Sequence, residues 1–203
     1  ASDGTTPLYV ACDKGQGDCV QLLLAAHAAV NQAASSGNTP LIAACRNDHG
    51  NCVQLLLAAH AAVDQAASNG VTPLYTTCDK GHGDCVQLLL AAHAAVNQAD
   101  SNCTTPLYAA CFNGQGGCVQ LLLAAHAAVD QADRNGATPL YVACDKGQGD
   151  CVQLLLATHA AVDQADHNGR TPLYAACRND HGSCVQLLLA AHAAVDEAAS
   201  NGT

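Results

Sequence analysis

One dipeptide recurs at a fixed interval along this chain and limits its fold more than any other feature. Thr-Pro begins at residues 6, 39, 72, 105, 138 and 171, a constant step of 33 residues, and each step carries TPLYxACxxGxxxCVQLLLAAHAAVxQAxxxG with few changes. Such a period is typical of arrays in which each copy buries its apolar face against its neighbours. We therefore expect one solenoid domain over residues 1–203, with repeats 6–38, 39–71, 72–104, 105–137, 138–170 and 171–203.

Local signals within each repeat predict two short helices joined by a tight turn. Thr6 can cap the first helix, and Pro7 suits its first position because the missing N–H costs nothing there. Gly15 and Gly17 then turn the chain. The residue before the second cysteine always belongs to the group favoured at helix N-caps, which predicts that the second helix starts there. These residues are Asp18, Asn51, Asp84, Gly117, Asp150 and Ser183.

The repeat resembles the ankyrin repeat, whose familiar signature is TPLHxAAxxGHxxVVxLLLxxGAxVN. The resemblance covers all six repeats and implies an all-α ankyrin-repeat solenoid of helix-turn-helix units with projecting hairpin-like loops. It also implies a non-catalytic module that binds proteins. The Tyr and Cys content is similar to repeats of ankyrin/SOCS-box proteins, but no SOCS box follows in this sequence, so no E3-adaptor role is expected. The matching residues of the first repeat are Thr6, Pro7, Leu8, Ala11, Gly15, Val20, Leu22, Leu23, Leu24, Ala28, Val30 and Asn31.

Two positions depart from the ankyrin signature. The His after Leu is replaced by Tyr in five repeats and by Ile42 in the second, which cannot hydrogen-bond. The Gly after the second helix is replaced by His in every repeat, at a cost of about 1 kcal/mol if that residue is left-handed. Either these histidines cap the helix with exposed rings, or they form a functional ladder. They are His27, His60, His93, His126, His159 and His192.

Twelve of the thirteen cysteines form pairs seven residues apart, one pair in each repeat. They are either buried thiols acting as small apolar side chains or one disulfide per repeat. Disulfides would place the protein outside the cell, and reduced thiols in the cytoplasm. Zinc is not expected, because Cys19 and His27 lie about 12 Å apart along a helix. The candidate disulfides are Cys12–Cys19, Cys45–Cys52, Cys78–Cys85, Cys111–Cys118, Cys144–Cys151 and Cys177–Cys184.

Composition and charge argue against several classes of function. Seventeen acidic residues against seven basic ones give a net charge of −10, which disfavours a nucleic-acid partner. The longest apolar run, LLLAAHAAV, is too short for membrane insertion. Every reactive side chain is copied in each repeat, whereas an active site is a local asymmetry, so we expect no enzyme, cofactor or small-molecule substrate. Two N-x-T sequons make Asn102 and Asn201 candidate glycosylation sites.

The loop tips and the two ends are the candidate binding surfaces. The tips lack aromatic anchors, and their most distinctive residues are Arg134, His167 and Arg170. The first and last repeats keep the internal apolar pattern, although solenoids normally carry polar caps. Two such ends predict a head-to-tail contact that does not close on itself and so builds a filament. The expected contact residues are Leu8 and Val20 at one end, and Leu187 and Leu188 at the other.

The sequence thus favours a structural protein that associates with itself end to end. The alternative is a monomeric scaffold that binds an unknown protein through its loop tips and concave helix face. Self-association would have a pH dependence, because ten histidines oppose the charge of −10 once protonated. We expect association to rise below about pH 6 as self-repulsion falls.

Overall fold

A computed structural model describes residues 3–197 and 199 of the protein. Every regular element in this range is an α-helix, which confirms the predicted all-α class for the described residues. Each repeat contributes a short first helix and a longer second helix. No helix in the described range is long and apolar enough to cross a membrane.

The chain divides into two compact units, Ala1–Ser101 and Asn102–Thr203, called here unit 1 and unit 2. Unit 1 contains α1 (Pro7–Asp13), α2 (Gly17–Ala25), α3 (Pro40–Arg46), α4 (Gly50–Ala58), α5 (Pro73–Lys80) and α6 (Gly83–Ala91). Unit 2 contains α7 (Pro106–Phe112), α8 (Gly116–Ala124), α9 (Pro139–Asp145), α10 (Gly149–Ala157), α11 (Pro172–Arg178) and α12 (Gly182–Ala190).

Each first helix begins at a threonine cap, as the sequence predicts. The Tyr9 N–H donates to Thr6 Oγ1 at 3.1 Å, and the Ile42 N–H donates to Thr39 Oγ1 at 3.2 Å. Proline follows the cap in every repeat, where its missing N–H leaves no donor unpaired. A cap of this kind stabilises a helix by about 1 kcal/mol, a large contribution for an element of seven or eight residues.

The predicted start of the second helix is wrong by two residues. The helix begins at Gly17, with Gln16 at the N-cap position, so Asp18 lies inside its first turn. The turn itself sets this start, because the Gln16 N–H is already bonded to the Ala11 carbonyl at 2.9 Å. Asp18 instead places its negative charge near the positive end of the helix dipole.

The six histidines after the second helices are left-handed, with φ between 58° and 62°. In the first repeat, the His27 N–H donates to the Leu24 carbonyl and the Ala28 N–H to the Leu23 carbonyl, both at 3.0 Å. This pattern is a Schellman-type cap that satisfies carbonyls left over at the helix end. The six rings are exposed, which agrees with the capping interpretation.

The helix pairs stack in register within each unit. In unit 1, α3 lies between α1 and α5, and α4 lies between α2 and α6; unit 2 repeats this order from α7 to α12. The middle first helix of unit 1 is buried from Pro40 to Cys45. Ile42, which replaces the usual polar residue, is fully buried and packs in the core.

One polar side chain in the second half of a repeat ties it to the next repeat. Asp64 Oδ1 accepts a hydrogen bond from the Ala95 N–H at 2.9 Å, and Asp130 Oδ1 accepts one from the Ala161 N–H at the same distance. These bonds satisfy backbone donors just beyond the left-handed histidines. Asn31 with Ala62 and Asp163 with Ala194 make the same bond.

Candidate interaction surfaces

No disulfide joins any of the cysteines, all of which lie in the described part of the chain, and no two lie at disulfide distance. The intra-repeat disulfides suggested by the spacing, among them Cys12–Cys19 and Cys45–Cys52, are therefore not present. The second cysteine of a repeat packs against the preceding repeat instead. The Cys85 thiol donates to Asp48 Oδ1 at 3.3 Å, and the His82 ring bonds the Cys45 carbonyl at 2.9 Å.

Cysteines consequently meet in pairs that are 40 residues apart in sequence. Burial, together with the neighbouring Cys52, raises the pKa of Cys12 to about 12. Burial and then Cys184 raise the pKa of Cys144. Thiols with raised pKa values stay protonated near neutral pH and are poor nucleophiles. The same spacing relates Cys45 to Cys85, and Cys111 to Cys151, which hydrogen-bond to each other.

The first repeat presents an apolar N-terminal face, formed around Val10, Cys19 and Leu22. Val10 is 47% exposed, whereas Val142 at the same position of the fifth repeat is only 3% exposed. Leu22 is 71% exposed, whereas Leu154 is half-buried. These side chains line a shallow hollow of about 620 Å³.

The last repeat presents a second apolar surface, the C-terminal face, formed by Tyr174, Cys177, Leu189 and Val195. Tyr174 is 40% exposed, whereas Tyr141 in the preceding repeat is only 8% exposed. Leu189 and Val195 are also exposed. In the fifth repeat the sixth covers the corresponding positions, as the contact of Tyr141 with Ala175 shows.

The predicted end-to-end contact residues are mostly wrong. Leu8, Val20 and Leu188 are almost fully buried, and Leu187 is half-buried. The buried three point into the core of their own repeat, because both helices of a repeat have an inward and an outward apolar side. Val10 on α1 and Leu22 on α2 lie on the outward side of the first repeat.

A groove in unit 2 brings helices and loop tips together. This unit 2 groove, about 330 Å³, lies between the first helices and the tips of the fourth and fifth repeats. The Lys146 ammonium lies 4.9 Å from the centre of the Phe112 ring. The side chains that line the unit 2 groove include Tyr108, Phe112, Tyr141, Lys146, Arg170 and Arg178, with Asp133, Asp145 and Asp166.

Arg170 is held rigidly at the edge of this groove. Its Nε and Nη2 donate to Asp166 Oδ2 at 2.8 and 2.6 Å, and the Asp166 side chain is only 2% exposed. Burial raises the pKa of Asp166, but hydrogen bonds from Arg170 and Asn168 outweigh burial, so this pKa is lowered. Of the other predicted tip residues, Arg134 and His167 are exposed.

Unit 1 has a related hollow of about 590 Å³ with a different lining. Tyr75 is its one aromatic side chain, and Lys80 is paired with Asp79 at 2.9 Å. Arg46 occupies the place that Phe112 has in the unit 2 groove. The unit 2 groove is thus richer in aromatic rings than its counterpart.

The candidate modification and metal sites give little further chemistry. Asn102 is exposed at a loop tip next to Cys103, which is left-handed with φ 63°. Asn201 lies outside the described residues. In the described chain, no group of three or more His, Cys, Asp or Glu side chains can hold a metal ion.

A family model described as ankyrin repeats (3 copies) matches residues 1–67, 59–133 and 115–199. The chain belongs to the ankyrin repeat family. The crystal structure of the human ASB11 ankyrin repeat domain is similar, with a TM-score of 0.88 and 30% sequence identity. The similarity covers 98% of this chain and 89% of that chain. The search of curated proteins finds no match to this chain.

Ankyrin repeats are interaction modules and are generally non-catalytic. The expected surface residues were found only in part. The sequence predicts that the loop tips bind a partner and shows that they lack aromatic residues. The ankyrin fold places Tyr108 and Tyr141 beside the tips of unit 2. The signal was the Tyr that recurs three residues after the cap threonine in five of the six repeats.

Proposed function

We propose that this ankyrin-repeat protein is a non-catalytic scaffold that binds a segment of a partner protein in the unit 2 groove. The groove itself is the observation that carries the proposal. It combines three aromatic rings with two arginines, the side-chain types that dominate binding energy at protein interfaces. Its counterpart in unit 1 has one aromatic ring.

The groove is prepared for binding before a partner arrives. Arg170 is fixed by two hydrogen bonds to Asp166, and Lys146 lies over the Phe112 ring. Immobilising a flexible side chain on binding costs about 0.5–1.5 kcal/mol, and side chains that are already held avoid much of this cost.

The lining indicates the chemistry of the partner. Three bases, Lys146, Arg170 and Arg178, are balanced by three aspartates in the groove of a chain whose net charge is −10. A strongly basic or acidic segment therefore gains little. A segment with an apolar or aromatic side chain to pack on Phe112 and Tyr108, and a carboxylate to reach Arg178, fits best.

Selection of a displayed peptide library on the whole chain tests this proposal. Selected peptides should lose binding with Phe112→Ala and with Arg178→Glu. The matched control is Arg46→Glu, which makes the same charge change at the same position of another repeat, outside the unit 2 groove, and should bind as the parent does. Equal losses with Arg46→Glu and Arg178→Glu, or no loss with Phe112→Ala, would refute the groove as the binding site.

End-to-end self-association is a second candidate function, favoured by the exposed N-terminal face. Burying Leu22 and Val10 against another molecule removes apolar surface from water, worth about 25 cal/mol per Å². Inside unit 2, Val142 shows that a preceding repeat covers this position almost completely.

Light scattering with the full chain at micromolar concentration tests this second candidate. We expect assembly by the parent and a monomer for Leu22→Asp, which places a charge in the hollow. Gln21→Asp adds the same charge at the adjacent exposed residue and should leave assembly intact. A parent chain that stays monomeric excludes self-association.

A further inference from the structure

The two cysteines of a repeat are buried by different neighbours. In unit 1 the second cysteine is buried in the second and third repeats, at Cys52 and Cys85, but exposed in the first repeat, at Cys19. In unit 2 the first cysteine is buried at Cys144 but exposed in the last repeat, at Cys177. The preceding repeat therefore covers the second cysteine, and the following repeat covers the first.

Polar contacts define the register in which one repeat covers the next. The His49 ring bonds the Asp13 carbonyl at 3.2 Å, and the His181 ring bonds the Asp145 carbonyl at 3.1 Å. In both cases the histidine just before the second helix of one repeat bonds the last residue of the first helix in the preceding repeat. The Cys85 thiol then reaches the Asp48 carboxylate at 3.3 Å.

The last repeat has the acceptor side of the Cys85–Asp48 contact. Asp180 has the position of Asp48 and nearly the same left-handed backbone, with φ 60° against 58°. Asp180 and Cys177 are both exposed. The first repeat offers the matching half, with Cys19 exposed at the position of Cys85.

The helices themselves identify the occupant. The first repeat has the helix sequences PLYVACD and GDCVQLLLA, which are identical to those of the fifth repeat. Within unit 2 the fifth repeat is seated on the fourth, with α9 against α7 and α10 against α8. The N-terminal face therefore has the shape that fits the C-terminal side of another repeat, as the fifth repeat fits the fourth.

We propose that the first repeat of one copy docks on the last repeat of a second copy in the register of the internal repeats. This proposal rests on the end-to-end association proposed above and deepens it. Cys19 of one copy then lies beside Cys177 of the other, and its thiol donates to Asp180. Val10 packs on Tyr174, as Ala175 packs on Tyr141 within unit 2.

Disulfide cross-linking of the full chain tests the register. Cys103→Ser is the background, because Cys103 is the one other exposed thiol of the thirteen. The oxidant is a small disulfide such as oxidised glutathione. One cysteine thiolate attacks it and releases one glutathione thiol, and the partner cysteine then displaces the second. Two protein thiols become one disulfide while the oxidant is reduced to two thiols.

We expect a ladder of dimers and longer chains on a non-reducing gel, with a peptide linking residues 19 and 177 in mass spectra. Cys19→Ser and Cys177→Ser should each remove every band above the monomer. An equal mixture of these two variants should give dimers and nothing longer, since each copy then carries one reactive end. Cross-linking by either variant alone overturns the proposal.

Light scattering of the same samples in reductant distinguishes this register from end-to-end association in general. Assembly without a link between residues 19 and 177 refutes this register and leaves end-to-end association standing. A monomer in reductant that gives no cross-link refutes both.

Discussion

The thiol of Cys85 donates a hydrogen bond to the carboxylate of Asp48, 3.3 Å away in the preceding repeat. Asp48 holds a left-handed backbone, with φ 58°, where four other repeats have glycine. The strain at Asp48 is therefore linked to a contact between repeats. Burial raises the pKa of Cys85 to about 12, and the hydrogen bond to Asp48 also raises it.

Asp48→Gly should be more destabilising than Asp180→Gly. Both changes relieve the same left-handed strain and add the same freedom to the unfolded chain. Only Asp48→Gly also removes the acceptor of the Cys85 thiol, which is worth about 1 kcal/mol. Urea unfolding of the two variants in the Leu22→Asp background, which keeps the chain monomeric, measures the difference in free energy of unfolding. Equal values would show that the thiol contact contributes nothing.

Stability should fall at alkaline pH. The pKa of Cys12 and that of Cys85 are raised from 9.0 to about 12, so the folded state keeps protons that the unfolded chain has lost. This stabilisation is complete below about pH 9 and disappears as the pH rises towards about 12. Urea midpoints at about pH 8 and about pH 11 measure it.

The variant Cys12→Ala with Cys85→Ala is the control for this pH dependence. It removes two of the titrating thiols, so its midpoint should decline less between the two pH values. A parent midpoint that stays level or rises between them contradicts the prediction.

Local sequence signals predict the helix caps. Contacts between repeats could not be predicted from the sequence. Thr6 and Pro7 are adjacent, so the start of α1 could be identified from two residues. The outward side of a repeat could not be identified in this way, because Leu8 and Val10 belong to the same apolar pattern although only Leu8 is buried. The cysteine pairs were missed for the same reason: their partners are set by stacking.

The aromatic lining of the unit 2 groove was missed because its parts are distant in sequence. Tyr108 lies 25 residues before Asp133, the nearest tip residue of the groove. In the sequence, the tips are separated from these tyrosines and give no sign of a shared surface. The stacking of first helices beside the tips is a property of the fold that no single repeat encodes.

Asp130→Ala should lower the free energy of unfolding by about 1–2 kcal/mol, because it leaves the Ala161 N–H without its acceptor. That hydrogen bond is 2.9 Å long and joins two repeats of unit 2. Asp196→Ala is the matched control, since Asp196 has the same position in the last repeat and is exposed. Chemical denaturation of both variants tests the prediction. A loss as large for Asp196→Ala would assign the effect to something other than the tie between repeats.

Acidification should strengthen end-to-end association. The chain carries a net charge of −10 and ten histidines, so their protonation brings the net charge close to zero. Repulsion between copies falls as the net charge falls. Light scattering at neutral and at mildly acidic pH measures the response, and weaker assembly at the acidic pH contradicts the prediction.

Salt should move the two proposed functions in opposite directions. End-to-end contact buries apolar side chains such as Leu22 while each copy carries a charge of −10, so screening should favour it. Partner binding through Arg178 relies on an ion pair and should weaken, since the Debye length shrinks from about 30 Å at 0.01 M salt to about 10 Å at 0.1 M. Light scattering follows the first and peptide titration the second. If both strengthen with salt, the carboxylate contact at Arg178 is not part of partner recognition. If both weaken, repulsion between copies is not what limits assembly.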